Sequence, residues 1–181
     1  MNALKLIEQH LKGQPLKPPL HLWNPDLSGV IDIIIRSNGD WIHEGSKIQR
    51  LPLVKLFASI MRREDDQHFY LVTPVEKWQI QVEEAPLQII DMDILNRGGD
   101  KQQIVFTSNV DDKILLGKDH ILSVAHKAVT QEPIPTIDLD NNLFAKINRP
   151  VFYRLVDRAV EKDHKLCILS DGCWFELGEL E

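Results

Sequence analysis

The chain has 181 residues, 43% hydrophobic and 27% charged, with 9 Gly and 10 Pro, which excludes a disordered, collagenous or coiled-coil protein and fits one domain or two small ones. No apolar run approaches the roughly 18 residues of a membrane span, and the first residues lack the basic-then-apolar order of a secretory leader, so a cytoplasmic location is expected. A net charge of −6, with no basic run longer than Arg62-Arg63, argues against a nucleic-acid partner, and two cysteines are too few for a disulfide scaffold.

Asn2 is placed to cap a helix running to about Lys12, with Leu4, Ile7 and Leu11 on one face and Gly13 as its exit. Pro15, Pro18, Pro19 and Pro25 then predict an extended arm over 14–26 that packs through Leu20, Leu22 and Trp23. The β-branched run from Val30 to Arg36, the Asn38-Gly39 pair and Trp41-Ile42-His43 predict a hairpin. From Pro52, the spacing of Leu53, Leu56, Phe57 and Ile60 predicts a helix of about three turns, closed by Arg62-Arg63 and Glu64-Asp65-Asp66. Phe69 to Thr73 and Trp78 to Val82 read as strands around Pro74-Val75-Glu76-Lys77, ending at Pro86.

The loop-like Asn96-Arg97-Gly98-Gly99-Asp100 suggests a domain boundary between Ala85 and Lys101. Short strands follow at Ile104 to Thr107, Lys113 to Leu116, Ile121 to Ala125, Thr136 to Leu139 and Leu143 to Ile147. Pro150 opens a helix carrying Phe152, Leu155, Val156 and Ala159 on one face, and a terminal hairpin turns at Asp171-Gly172. That turn opposes Ser170 to Cys173 and Cys167 to Glu176, which puts the two sulfurs on opposite faces and argues against a bridge between them. The resulting fold class is α+β, with an N-terminal helix and arm over 1–26, a first domain over 27–90 and a strand-rich second domain over 91–181.

The two halves echo each other. Ile48 to Phe57 aligns without a gap on Ile147 to Val156, with Ile, Arg and Leu identical at three positions and an Arg ahead of each helix. A hairpin lies upstream of each, at Asn38-Gly39 and Asp140-Asn141-Asn142, and another downstream, with Trp78 and Trp174 on the return strands. The unit is hairpin, helix, hairpin, used twice, and its long period excludes short solenoid repeats.

Several runs carry a family resemblance: Gly39-x-Trp41-x-x-x-Gly45, Arg50-x-x-Leu53-Val54-x-Leu56-Phe57, Tyr70 to Lys77, Val82 to Pro86, and the closing Arg149, Leu155-Val156 and Ser170-x-Gly172. Over about Leu20 to Leu180 the chain resembles the bacterial domain-of-unknown-function family 1285, and Leu71-Val72-Thr73-Pro74-Val75-Glu76-Lys77 is the most specific piece. The resemblance implies a cytoplasmic two-domain α+β protein with a duplicated core, a second half like a pleckstrin-homology fold, a site for a nucleotide-like ligand at the domain interface, and a role in signalling. It brings no catalytic residues. Glu84 stands where the family pattern expects Asp, which leaves any role for that carboxylate open.

Arg50 and Arg149 each sit at a predicted helix start, where free N–H groups and the dipole favour an anion, so each is a candidate phosphate or carboxylate clamp. The structural alternative is a bridge from each Arg to a carboxylate or to backbone carbonyls. Thr73, Glu76 and Lys77 offer a polar rim in a rigid turn, alternatively a solvated hairpin loop; Tyr153 and Ser170 complete the candidate set, although core packing is the role expected first for Tyr153. The four Trp residues are assigned to packing. The histidine spacings fit no metal site, the Asp138 to Asn142 run fails as a calcium loop, and no standard nucleotide or hydrolase motif occurs, so no cofactor is expected.

These features favour a non-catalytic ligand-binding or sensor protein that takes a nucleotide-like anionic small molecule at the domain interface. The alternative is a protein-interaction adaptor using the strand-rich half. No nucleophile and base can be paired from spacing, so an enzyme is the weakest reading.

Overall fold

The computed structural model describes residues 3–180, so the Asn2 cap lies outside the described residues. The chain divides into two compact units, one holding the chain up to Pro86 together with Asp140–Leu143, the other Leu87–Leu139 and the chain from Phe144 onward.

In the first unit, helix α1 (Ala3–His10) buries Ile7, and Leu11 beyond it is buried too. Two three-strand meanders follow, β1 (Leu27–Ile35), β2 (Trp41–His43) and β3 (Ser46–Lys47), then β4 (Met61–Arg63), β5 (Phe69–Val72) and β6 (Lys77–Val82), with helix α2 (Leu51–Ser59) between them. The sheet order is β3-β2-β1-β6-β5-β4, so the first strand of one meander lies parallel to the last strand of the other. A parallel pair cannot be closed by a tight turn, and α2 lies on the crossover that this pairing requires. Alternation on β1 buries Ile31, Ile33 and Ile35; Trp41 packs tilted on Phe57 of α2, ring centroids 6.3 Å apart.

Several sequence expectations are corrected here. Helix α2 stops at Ser59, whose hydroxyl donates to the Leu56 carbonyl, and Met61–Arg63 is a strand paired with β5. The first hairpin turns through five residues, 36–40, of which Gly39 alone has positive φ. In the arm Leu20 and Trp23 are buried, but Leu22, in a short 3-10 turn, is 70% exposed. Gly29 adopts φ +144°, a backbone conformation that side-chain-bearing residues rarely take, so glycine is favoured where β1 passes β6.

In the second unit, β7 (Leu87–Leu95), β8 (Gln103–Ser108) and β9 (Lys113–Leu115) form one meander and β10 (Leu122–His126), β11 (Pro133–Asp138) and β12 (Phe144–Ile147) another. The sheet order is β10-β11-β12-β7-β8-β9, again with a parallel pair, β7 and β12, at its centre. Helix α3 (Arg149–Val156) leads to a third meander, β13 (Val160–Lys162), β14 (Lys165–Ser170) and β15 (Cys173–Glu179), a separate three-stranded sheet. The pleckstrin-like expectation is therefore corrected to its coarser form. The unit is α+β and strand-rich, and no ladder closes its described strands into a barrel.

The duplication is meander, helix, meander: β1 to β6 around α2 correspond to β10 to β15 around α3, and β7 to β9 are an addition. The sequence matched Asn38-Gly39 with Asp140-Asn142, but the structure aligns them one strand apart, since Asp140–Asn142 precedes the last strand of its meander. Where β1 and β6 share a ladder, β10 and β15 run side by side without one. The terminal hairpin has the expected register, Ser170 opposite Cys173 and Cys167 opposite Glu176, and both thiols are free. Asp171 and Gly172 both have positive φ, as a two-residue type I′ turn demands.

A half-buried charge cluster ties the arm to the first sheet. Arg62 donates through Nη1 to the carbonyls of Leu20 (3.0 Å) and Trp23 (2.9 Å) and through Nη2 to Glu64 (2.6 Å), while Lys77 Nζ reaches both Glu64 oxygens. Burial pushes the Glu64 carboxyl up, but the hydrogen bonds from Arg62 and Lys77 outweigh it and hold the group below its ordinary value of 4.5. A carboxyl lowered by folding contributes stability that is complete above its unfolded pKa and is lost as pH falls through the folded one. Arg62→Met is expected to cost about 2–3 kcal/mol in urea unfolding at pH 7 and to raise amide exchange at Trp23. Glu64→Gln is expected to flatten the stability loss that the parent shows below about pH 4.5.

Candidate functional site

The two candidate arginines lie in different units. Arg50 is the N-cap of α2 with extended backbone; its side chain is 73% exposed, and its guanidinium is 4.0 Å from Glu8. Arg149 is the first residue of α3, behind an Asn148 cap whose side-chain oxygen accepts from the Val151 N–H at 3.2 Å. Arg149 pairs with Glu132, which also accepts from Lys127 at 2.6 Å, so an anion arriving at Arg149 has to displace a carboxylate.

The turn residues of the first unit are engaged locally. Thr73 is fully buried, and its hydroxyl accepts from the Val75 and Glu76 N–H groups, which fixes the β5–β6 turn. Glu76 lies 3.0 Å from His10 Nδ1, which ties α1 to that turn, and Lys77 belongs to the Glu64 cluster with its ammonium 5.0 Å from the Tyr70 ring centre. Tyr70 donates to Asp66 at 2.5 Å, and this bond, aided by burial, pushes the phenol up to about 12.

Ser170 occupies in the terminal hairpin the place of Thr73 in the first unit, at the strand end before the turn, and is likewise fully buried. Its hydroxyl accepts from Ile104 N–H at 2.9 Å and donates to the Leu116 carbonyl at 2.7 Å. Gln102 Nε2 donates to the Leu169 carbonyl and Gln103 Nε2 to Asp171, so the hairpin tip is pinned to β8. Tyr153 is 58% exposed, which corrects its expected core role, and Trp174, expected to pack, is 45% exposed with the Lys162 ammonium 4.6 Å from its ring centre.

A cationic cleft in the second unit was missed by sequence reasoning. A cleft of about 590 Å³ in the second unit is lined by Arg97, Lys113, Arg154 and Arg158, with Asp93 and Asp157 among them. Arg154 is spent on structure: Nη1 donates to Asp91 at 2.5 Å and Nη2 to the Met92 carbonyl at 2.7 Å, which fastens α3 to β7. The Arg154 hydrogen bond holds the Asp91 carboxyl below the usual range. Lys113 bonds Thr107 Oγ1 at 2.6 Å and lies 3.8 Å from Asp93. Arg97 and Arg158 form no ion pair among the described residues.

The cations near the α3 C-terminus suit the helix dipole. Arg97 does not fall under that explanation, because it stands on the β7–β8 loop, where Asn96 and Gly98 have positive φ and bonds from Asn96 to Lys101 and from Gly98 to Gln102 fix the turn. The only sequence trace of this site is the Asn96 to Asp100 loop.

Family models described as "Domain of unknown function (DUF1285), N-terminal domain" and "Protein of unknown function (DUF1285), C-terminal domain" match residues 18–85 and 86–177. A crystal structure of a DUF1285 family protein from Silicibacter pomeroyi DSS-3 is 36% identical, with 99% of this chain and 96% of that one covered and a TM-score of 0.88. Another, from Shewanella baltica OS155, is 28% identical over 71% of this chain and 93% of its own, with a TM-score of 0.54. No curated protein matches. The chain belongs to the DUF1285 family.

Ser170→Ala is expected to destabilise the second unit by about 1–3 kcal/mol, because it leaves a buried N–H and a buried carbonyl without their shared partner. Urea unfolding measures it, and Ser170→Thr, which keeps the hydroxyl, is expected to recover part of the loss.

Proposed function

We propose that this protein is a non-catalytic, cytoplasmic binding protein for a small anionic molecule, in the manner of a sensor, and that the cationic cleft of its second unit is the seat of binding. The observation that carries this reading is the presence of two uncommitted guanidiniums, Arg97 and Arg158, beside Lys113 and Arg154 in a concavity of ligand size. Arginine presents fixed donor forks that match phosphate and carboxylate oxygens. The lining holds no serine, threonine, cysteine or histidine, so it offers no paired nucleophile and base of the familiar kind, which favours binding over catalysis. Arg50 and Arg149 act in this reading as secondary charges at helix starts.

A second reading, an interaction adaptor, has its own observation. A shallow groove beside the β10–β15 seam is lined by Ile121, Leu122, Trp174 and Phe175, with Trp174 and Ile121 exposed. Aromatic and aliphatic side chains presented at a seam of this kind are what a protein partner uses, as pleckstrin-like folds can.

A thermal-shift screen against nucleotides and simple phosphorylated metabolites separates the two. The binding reading expects a dose-dependent rise for one ligand class, about 2.7 kcal/mol at 100 times the dissociation constant. Arg158→Ala is expected to weaken that ligand at least tenfold, and Arg149→Ala less than threefold. Equal losses in both variants would contradict the placement of the site.

A further inference from the structure

We infer that the cleft of the second unit is built for a ligand with a single small anionic head on an apolar body, and is set against polyphosphates; this rests on the reading of the cleft as an anion site. Charge is the first ground. Four cations face the cleft, but Asp93 and Asp157 share its lining and Asp91 neutralises Arg154 from behind, which leaves one net positive charge. One such charge matches a monoanionic head, leaves about one charge of a phosphate monoester over (about −1.5 to −2 at pH 7), and leaves several charges of a polyphosphate unneutralised beside two carboxylates.

Donor supply is the second ground. Both terminal nitrogens of Arg154 are engaged, and the Lys113 ammonium is bonded to Thr107, so the uncommitted forks are those of Arg97 and Arg158. Two forks suffice for the terminal oxygens of one phosphate or one carboxylate. The third ground is the wall. Leu95 is exposed, and Ile94 and Val105 are half-buried against the same cavity, whose volume far exceeds that of a lone phosphate. Apolar side chains left open to water in a concavity gain from an apolar ligand body. Arg97 on the β7–β8 loop and Arg158 just after α3 thus hold the head, and Ile94, Leu95 and Val105 receive the body.

The test is calorimetric titration of the full chain with inorganic phosphate, phenyl phosphate, pyrophosphate and tripolyphosphate, with benzoate to compare a carboxylate head. Phenyl phosphate is expected to bind at least tenfold more tightly than inorganic phosphate, with pyrophosphate and tripolyphosphate no tighter than phosphate. Arg97→Ala and Arg158→Ala are each expected to cut phenyl phosphate affinity at least tenfold, with unchanged circular dichroism. Asp157→Asn is expected to raise tripolyphosphate affinity several-fold while leaving the fold unaltered. Affinity that climbs from phosphate to tripolyphosphate in the parent, or phenyl phosphate that gains nothing over phosphate, would overturn this inference and leave the anion site standing. Failure of all five probes to bind at millimolar concentration overturns the anion site itself.

Discussion

Parallel pairing between strands of two antiparallel meanders is the constraint from which the rest of each unit follows. Strands joined in parallel cannot be linked by a hairpin, so the chain between them has to travel out and back. In the first unit the journey from β1 to β6 is made by β2, β3, α2, β4 and β5, and α2 returns the apolar face of Val54 and Phe57 to the core. In the second unit the journey from β7 to β12 is made without an α-helix, by β8 to β11 and a short 3-10 turn at Asp140–Asn142, which leaves α3 to emerge after β12 and dock on β7 through Arg154. The cationic cleft is a product of that placement, since it opens among the end of α3, β7 and the β7–β8 loop.

The polar residues that read as a ligand rim in the most family-specific run are each engaged in a structural hydrogen bond. Thr73 closes a turn with its hydroxyl, Glu76 holds His10 and hence α1, and Lys77 shares Glu64 with Arg62, which in turn holds the arm by two backbone carbonyls. Of the three residues that read as a ligand rim, Glu76 and Lys77 join separate segments of the chain and Thr73 fixes its own turn. Ser170 is the same kind of joint in the second unit, with the difference that its hydroxyl bonds across to β8 and to Leu116 instead of within its own turn. Changing such residues is expected to cost stability.

Much of the fold was legible in the sequence because local chemistry agreed with the global answer. Asp171-Gly172 demanded a two-residue turn, and the facing pairs followed from it by alternation. The spacing of Leu53, Leu56, Phe57 and Ile60 located α2, although the pattern overran into β4, where Ile60 and Met61 stay buried after the helix has stopped. Strand β7 escaped because its alternation is interrupted. Leu87, Ile89 and Met92 are buried, a step of two and then of three, since a bulge at Ile89–Asp91 shifts the phase. Tyr153 and Trp174 were misassigned because aromatic identity says little about which face of an element meets solvent. Arg97 and Arg158 left no motif at all, as nothing in their spacing foretells that a loop tip and a helix exit will face one cavity.

The most direct measurement is two-dimensional nuclear magnetic resonance of the arginine side-chain Nε–Hε groups as phenyl phosphate is added. The account predicts saturable shifts at Arg97 and Arg158, with Arg50, Arg62 and Arg149 unmoved. Shifts confined to Arg50 and Arg149, with Arg97 and Arg158 unmoved, would contradict it and return the anion to the helix starts.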